Sequence, residues 1–283
     1  MTKAFCPGHI TCFFSPVRTG YVMTTGSIGA GIRLDKGCTV TLEERRDVKM
    51  VTIMDGKPAE ARISEGTVRA LVPGRGFDMI IENDLPVSQG MGMSAAGAIA
   101  AGLCASAIAG REEHDAYTEA HIAEVTKGGG LGDVAGILGG RQPIRVRAGI
   151  QPFGRTVDTG MDINMTVAVF GERMDTGKVL SDHTAIERIT AIGERCVTEY
   201  MNSQTEKMLY AVSERFSDSV RLGTKEVTSA LSLLRKENSA SMCMLGNSIF
   251  TDADEERVRE LLGDVTMISC SSGAEGPRLI RKA

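Results

Sequence analysis

The sequence predicts an α+β fold in two joined lobes, 1–150 and 151–283. Three observations predict it. Strand signals crowd the first third of the 283 residues, helical patterns crowd 183–236, and a glycine loop runs unbroken from a strand into an alanine-rich helix. Strands first and helices later is the order of an α+β chain.

Taken in order, Val40-Thr-Leu and Lys49-Met-Val-Thr-Ile-Met read as strands, and the second ends at the turn dipeptide Asp55-Gly56. Phe77-Asp-Met-Ile-Ile-Glu-Asn is a further strand and leads into Pro86-Val-Ser-Gln-Gly-Met-Gly-Met-Ser-Ala-Ala. From Ser94 the run of alanines predicts helix, because alanine has the highest intrinsic propensity. A second helix is expected from about Asp115 to Thr126, then a second glycine loop, Lys127-Gly-Gly-Gly-Leu-Gly-Asp, then a strand over 144–150. In the second half Met165-Thr-Val-Ala-Val-Phe is a buried-type strand, and Leu222-Gly223 punctuates the helices of 183–236. Asp254-Glu-Glu-Arg-Val-Arg-Glu-Leu-Leu-Gly carries acids in its first turn and glycine at its end, as helix termini favour. A last strand, Val265-Thr-Met-Ile-Ser-Cys, runs into Ser272-Gly-Ala-Glu-Gly-Pro-Arg.

Composition removes several classes of function. A formal charge of −4, no tryptophan and only 4% aromatic residues supply neither a basic surface nor stacking platforms, so no nucleic-acid partner is expected. No run is apolar enough for a membrane span, and Met-Thr-Lys-Ala-Phe-Cys-Pro lacks the apolar stretch of a signal peptide. Seven cysteines are odd in number, with no CxxC spacing and no histidine cluster, so reduced thiols and a cytoplasmic location are expected.

The chemistry concentrates at the two glycine loops. Amides at the start of an uncapped helix, with its positive dipole end, form an anion site, and the hydroxyl of Ser94 at its mouth suits a nucleotide-borne Mg²⁺. This is not a Walker loop: the nearest string, Gly171 to Val179, is one residue too long and has valine where a hydroxyl belongs. Two G-x-G-x-x-A strings, from Gly90 and from Gly130, lack the tight strand-to-helix turn of a dinucleotide fold. A phosphoryl transfer needs metal ligands, a phosphate cradle and a group for the acceptor hydroxyl. Ser94 and Glu124 suit the metal and Asp133 the hydroxyl, whereas the plain alternatives are a solvated helix-end Glu124 and an Asp133 that caps Val134-Ala-Gly-Ile. His121 shares a helical face with Glu124, and Arg145 and Arg147 alternate on one face of a strand, where an arginine suits a carboxylate. Met91 and Met93 read as core fillers.

In this order the pieces resemble the GHMP kinase superfamily. Its central signature, P-x-x-x-G-L-G-S-S-A-A, is similar to Pro86–Ala96 with Met91 for leucine and Met93 for the first serine. Its A-P-G-K start resembles Cys6-Pro7-Gly8-His9, with histidine for lysine, and Ser272 to Arg278 stands where the third signature belongs. The resemblance implies a ribosomal-protein-S5-like N-terminal lobe, a ferredoxin-like C-terminal lobe, ATP and Mg²⁺ as cofactors, and a homodimer. It implies that Pro86, Gly90, Met91, Gly92, Met93, Ser94, Ala95 and Ala96 hold the nucleotide, Ser94 and Glu124 the metal, and Asp133 the proton of the acceptor. Within the superfamily the Pro-Gly-His start, the 127–133 loop, Met244-Leu-Gly-Asn and the Gly-Ala-Glu-Gly-Pro-Arg end resemble an archaeal branch. That branch phosphorylates the terminal hydroxyl of pantoate to 4-phosphopantoate on the way to coenzyme A. The acceptor is a small anion, for which Arg145, His121, Ser27, Thr176 and His9 are the expected contacts. Homoserine, mevalonate or a sugar as acceptor, and a non-catalytic ligand sensor on the same fold, are the alternatives.

Overall fold

The computed structural model describes residues 1–171 and 183–280. Its strands are β1 (Thr2–Val17), β2 (Gly26–Glu44), β3 (Met50–Met54), β4 (Lys57–Pro58), β5 (Phe77–Asn83), β6 (Pro143–Arg147), β7 (Arg155–Asp158), β8 (Asn164–Val169), β9 (Ala240–Met242), β10 (Ser248–Thr251), β11 (Thr266–Ser271) and β12 (Arg278–Leu279). The helices among the described residues are α1 (Arg62–Leu71), α2 (Met93–Ala109), α3 (Glu113–Thr126), α4 (Asp133–Leu138), α5 (His183–Asn202), α6 (Glu206–Val220), α7 (Lys225–Leu234) and α8 (Glu255–Leu262). Each expected element has its counterpart, most within two residues. Helix α1, for which the sequence gives no clear start, is amphipathic, with Thr67, Val68 and Leu71 buried.

An eight-stranded sheet takes the order β12-β1-β2-β5-β3-β4, with β6 on the near half of β2 and β7 beyond it. A four-stranded antiparallel sheet, β11-β8-β10-β9, forms the second lobe. The long strand β2 sets this division. Its first half pairs with β6 through Gly29 and Ala30, and its second half pairs with β5 from Cys38 to Glu44. Beside it the β1–β2 register shifts between Pro7 and His9, where the extra residues lie on β2, and between Thr11 and Phe13, where Cys12 is the extra residue on β1. Such an irregularity sets unequal numbers of residues opposite one another, and His9 stands where the ladder resumes, paired with Arg33.

Helix α2 has almost no polar face and thirteen buried residues. It is the central helix of the first lobe, packed against β1, β2, α1 and α3. Its alanine and glycine surface lets those neighbours come close on every side, which is why amphipathic periodicity is missing from it. All seven cysteines are free and buried, and burial raises every thiol above its ordinary value. They pack as small apolar side chains, not as reactive thiolates.

The expectation for the strand after α4 needs correcting. It ends at Arg147, and a register irregularity falls between Arg145 and Arg147. Arg145 turns inward and is 1% exposed, while Arg147 is exposed and donates to the Pro152 carbonyl. The two arginines therefore do not share an environment, because one extra residue resets a period-two pattern.

Candidate active site

The Pro86–Ala96 segment lies between the lobes. Gly92 caps α2 in the left-handed region, at φ 63°, without any side-chain cap, and Gly90 also has φ 79°. Glycine adopts this backbone at little cost, which is what lets the chain turn directly into the helix. The first helical bond runs from Ala96 N–H to the Gly92 carbonyl, so the amides of Met93, Ser94 and Ala95 lie ahead of it at the helix mouth. Met91, Met93, Ala95 and Ala96 are buried, whereas Ser94 is exposed and its hydroxyl bonds to the Glu124 carboxyl. Pro86 is half-buried where the segment leaves β5.

Residues with no obvious signal in the sequence hold this loop. Gln89 is buried; its Oε1 accepts the Asn247 N–H at 3.1 Å, and its carbonyl accepts the Ser248 hydroxyl at 2.6 Å. Asn247 in turn donates to the Phe170 carbonyl and accepts from Thr224. The Met244-Leu-Gly-Asn segment is thus the second lobe's bracket for the phosphate loop. Arg33 does the same for the C-terminal signature: its guanidinium donates to the carbonyls of Gly273, Ala274 and Ile137.

Glu124 and Asp133 meet beside Ser94. Glu124, near the end of α3, is 1% exposed; Oε2 accepts the Gly130 N–H, while Oε1 is buried without a partner. Burial first, and the neighbouring Asp133 charge second, hold its carboxyl up at about 7, against hydrogen bonds from Ser94 and Gly130. A Cβ on Gly130 would sit 2.3 Å from Asp133 Oδ2 and 3.6 Å from Glu124 Oε2, so the two carboxylates flank one small space. Glu124 is not a solvated charge, and Asp133 is not a helix cap. The cap is Gly132, and Asp133 at the first helical position makes no capping bond. Its Oδ1 instead accepts from His9 Nδ1 at 2.9 Å.

His9 is fully buried, and burial lowers its pKa, so the ring is neutral at neutral pH. Behind it Arg145 donates from Nη1 to His9 Nε2 at 3.5 Å. The remaining donors, Arg145 Nε and Nη2, are buried without partners. Those two nitrogens share one edge of the guanidinium, the edge that takes a carboxylate bidentately. Burial pushes Arg145 down to about 10, which leaves it charged at neutral pH. A Cβ on Gly132 would lie 2.3 Å from Ser27 Oγ and 2.8 Å from Arg145 Nε, so hydroxyl and guanidinium converge there.

His121 is buried and differently occupied. Its Nε2 meets the Val22 carbonyl at 3.0 Å, and burial lowers its pKa against hydrogen bonds with Val22 and Thr25. It fastens the 18–25 segment to α3, next to Ser27 on β2. Thr176 lies outside the described residues. The structure thus brings Ser94, Glu124, Asp133, His9, Arg145 and Ser27 together, while His121 is engaged by the 18–25 segment instead.

A family model described as the GHMP kinases N terminal domain matches residues 61–141. The chain is 31% identical over 286 residues to a pantoate kinase of Thermococcus kodakarensis, covering 94% of this chain and 93% of that protein. It is 32% identical over 289 residues to a pantoate kinase of Methanospirillum hungatei, with 98% and 96% covered. A solved structure described as a phosphotransferase related to the CoA biosynthesis pathway superposes with a TM-score of 0.89 at 29% identity, covering 99% and 98% of the two chains. The mevalonate kinase of Methanococcus jannaschii shares the fold, with a TM-score of 0.67 at 13% identity over 95% and 98% of the chains.

Proposed function

The chain belongs to the GHMP kinases, and we propose that this ATP-dependent phosphotransferase acts on the terminal hydroxyl of pantoate, forming 4-phosphopantoate in coenzyme A biosynthesis. One observation of the site carries the acceptor's chemistry: a buried guanidinium with one complete, unpartnered edge beside Asp133. Leaving such donors unpaired in a buried site is expensive, on the order of 1–3 kcal/mol each, and a bound carboxylate would satisfy both. Similarity to the archaeal pantoate kinases supports the same acceptor.

In this reading the amides of Met93, Ser94 and Ala95 bind the phosphates, and the segment Pro86 to Ala96 shapes the cradle. The donor set fits Mg²⁺: a hydroxyl and a carboxylate with a free oxygen are hard oxygen ligands. Ser94 and Glu124 would hold the ion, which supplies charge neutralisation on the phosphates when bound. Asp133 Oδ2 faces the acceptor and takes the proton of its hydroxyl as that oxygen bonds to the γ-phosphorus; ADP leaves with the electron pair of the bridging bond. Arg145 and Ser27 orient the acceptor through its carboxylate, whereas the ring of His9 is engaged by Asp133 and Arg145 and that of His121 by Val22. A cytoplasmic homodimer with no nucleic-acid partner belongs to the same proposal.

ADP release measured with pantoate, homoserine, mevalonate and a sugar in parallel tests the assignment. Pantoate is expected to be turned over with the highest kcat/KM. Preference for a neutral sugar would refute the carboxylate edge, and nucleotide binding without ADP release on any acceptor would indicate a sensor.

A further inference from the structure

One residue of β1 ties the phosphate cradle to the proton acceptor. The backbone N–H of His9 donates to the Met91 carbonyl at 3.0 Å, inside the glycine loop. Its side chain reaches Asp133, at 2.9 Å. His9 stands just past a register shift between β1 and β2, where the ladder resumes opposite Arg33.

The ring has no freedom to turn. A Cβ on Gly31 would lie 2.3 Å from Nε2, and a Cβ on Gly136 would lie 2.4 Å from the same atom. Two glycine backbones, one from β2 and one from α4, thus form a slot one imidazole thick. The protonation state follows from the partners. A guanidinium is donor-only, so Nε2, which faces Arg145 Nη1, can only accept. The single ring proton of a neutral imidazole is then on Nδ1, facing a carboxylate oxygen. The other tautomer would set N–H against N–H at one end and lone pair against carboxylate at the other. An imidazolium is disfavoured first by burial and then by the charges of Arg145 and Arg33, which together outweigh the attraction of Asp133.

We propose that His9 is a positioning residue: held as the neutral Nδ1–H tautomer, it fixes Oδ1 of Asp133 and so aims Oδ2 at the acceptor hydroxyl. The proton taken by Asp133 stays on Asp133 in this step, because the only other ring nitrogen already accepts from a cation. Arg145 therefore has two edges with two duties, one toward the acceptor carboxylate and one, through His9, toward the base. The inference rests on Asp133 being the group that receives the hydroxyl proton.

Two measurements test it. The chain has four histidines, and long-range ¹H–¹⁵N spectra of the full-length enzyme, with His9→Asn for assignment, report each tautomer directly. His9 is expected as the neutral Nδ1–H form at neutral pH; an Nε2–H tautomer or an imidazolium would overturn the proposal. In kinetics His9→Ala should lower kcat roughly 10- to 100-fold, the range for partners that orient an active group, with both KM values nearly unchanged. His9→Asn keeps an N–H near the position of Nδ1 and should recover most of that loss. Equal defects in the two variants, or a full kcat in His9→Ala, would refute the role. A turnover-competent Asp133→Asn variant would instead remove the premise, whatever tautomer the spectra report.

Discussion

Replacing Glu124 by glutamine separates the electrostatic cost of the metal site from its packing. In the folded chain this carboxyl is raised from 4.5 to about 7 by burial and by Asp133. Each tenfold change in proton affinity is worth about 1.36 kcal/mol, so ionising Glu124 in the metal-free fold costs roughly 3 kcal/mol. A carboxyl raised in the folded state contributes stability that is complete below its unfolded value and is lost as pH rises through its folded value. The metal-free enzyme should therefore weaken between about pH 4.5 and pH 7, and the glutamine variant should lack that component. Urea midpoints of both proteins across this range measure it. At pH 8, Mg²⁺ at about 100 times its dissociation constant should return roughly 2.7 kcal/mol to the wild type, and almost nothing to the variant. Parallel pH trends in the two proteins, or equal Mg²⁺ stabilisation, would show that Glu124 is neither strained by its burial nor a ligand.

Asp133→Asn should lower kcat by on the order of 10²- to 10⁴-fold, the usual contribution of a positioned base, with nucleotide affinity retained in calorimetry; equal loss of both would mean that Asp133 merely shapes its loop. Arg145→Ala should raise the KM for pantoate well beyond that for ATP, because the unpartnered guanidinium edge is lost; an unchanged pantoate KM would move the carboxylate contact elsewhere. Arg33→Met should cost on the order of 3 kcal/mol in thermal unfolding, since three carbonyls lose their donor at once. Gln89→Ala should raise the KM for ATP, because the phosphate loop loses its tie to Asn247; an unchanged constant would show that the loop holds its shape without the second lobe.

The parts of the site that lie close together in the chain are legible in the residues alone. Glycines before an alanine run announce an open helix mouth, and Ser94 stands in it because the same eleven residues make both. Glu124 and Asp133 are nine positions apart around a glycine turn, so proximity along the chain already implies proximity in space. What escapes a sequence reading depends on distant segments. His9 and Asp133 are 124 positions apart and meet only because α4 packs against β1. A register irregularity separates Arg145 from Arg147, since period-two alternation holds only in an unbroken ladder. Gln89 and Asn247 look like ordinary polar loop residues, and nothing local shows that their bonds join two lobes. Helix α1 has Ala61 at its N-cap and no side-chain cap, so the usual start signal is missing even though its apolar face is clear.

A crystal structure with a non-hydrolysable ATP analogue, Mg²⁺ and pantoate is the most direct test. The phosphates are expected on the amides of Met93–Ala95, the ion on Ser94 and Glu124, and the terminal hydroxyl of pantoate on Asp133 Oδ2. A triphosphate lodged in another cleft, or a pantoate whose hydroxyl faces away from Asp133, would contradict the mechanism.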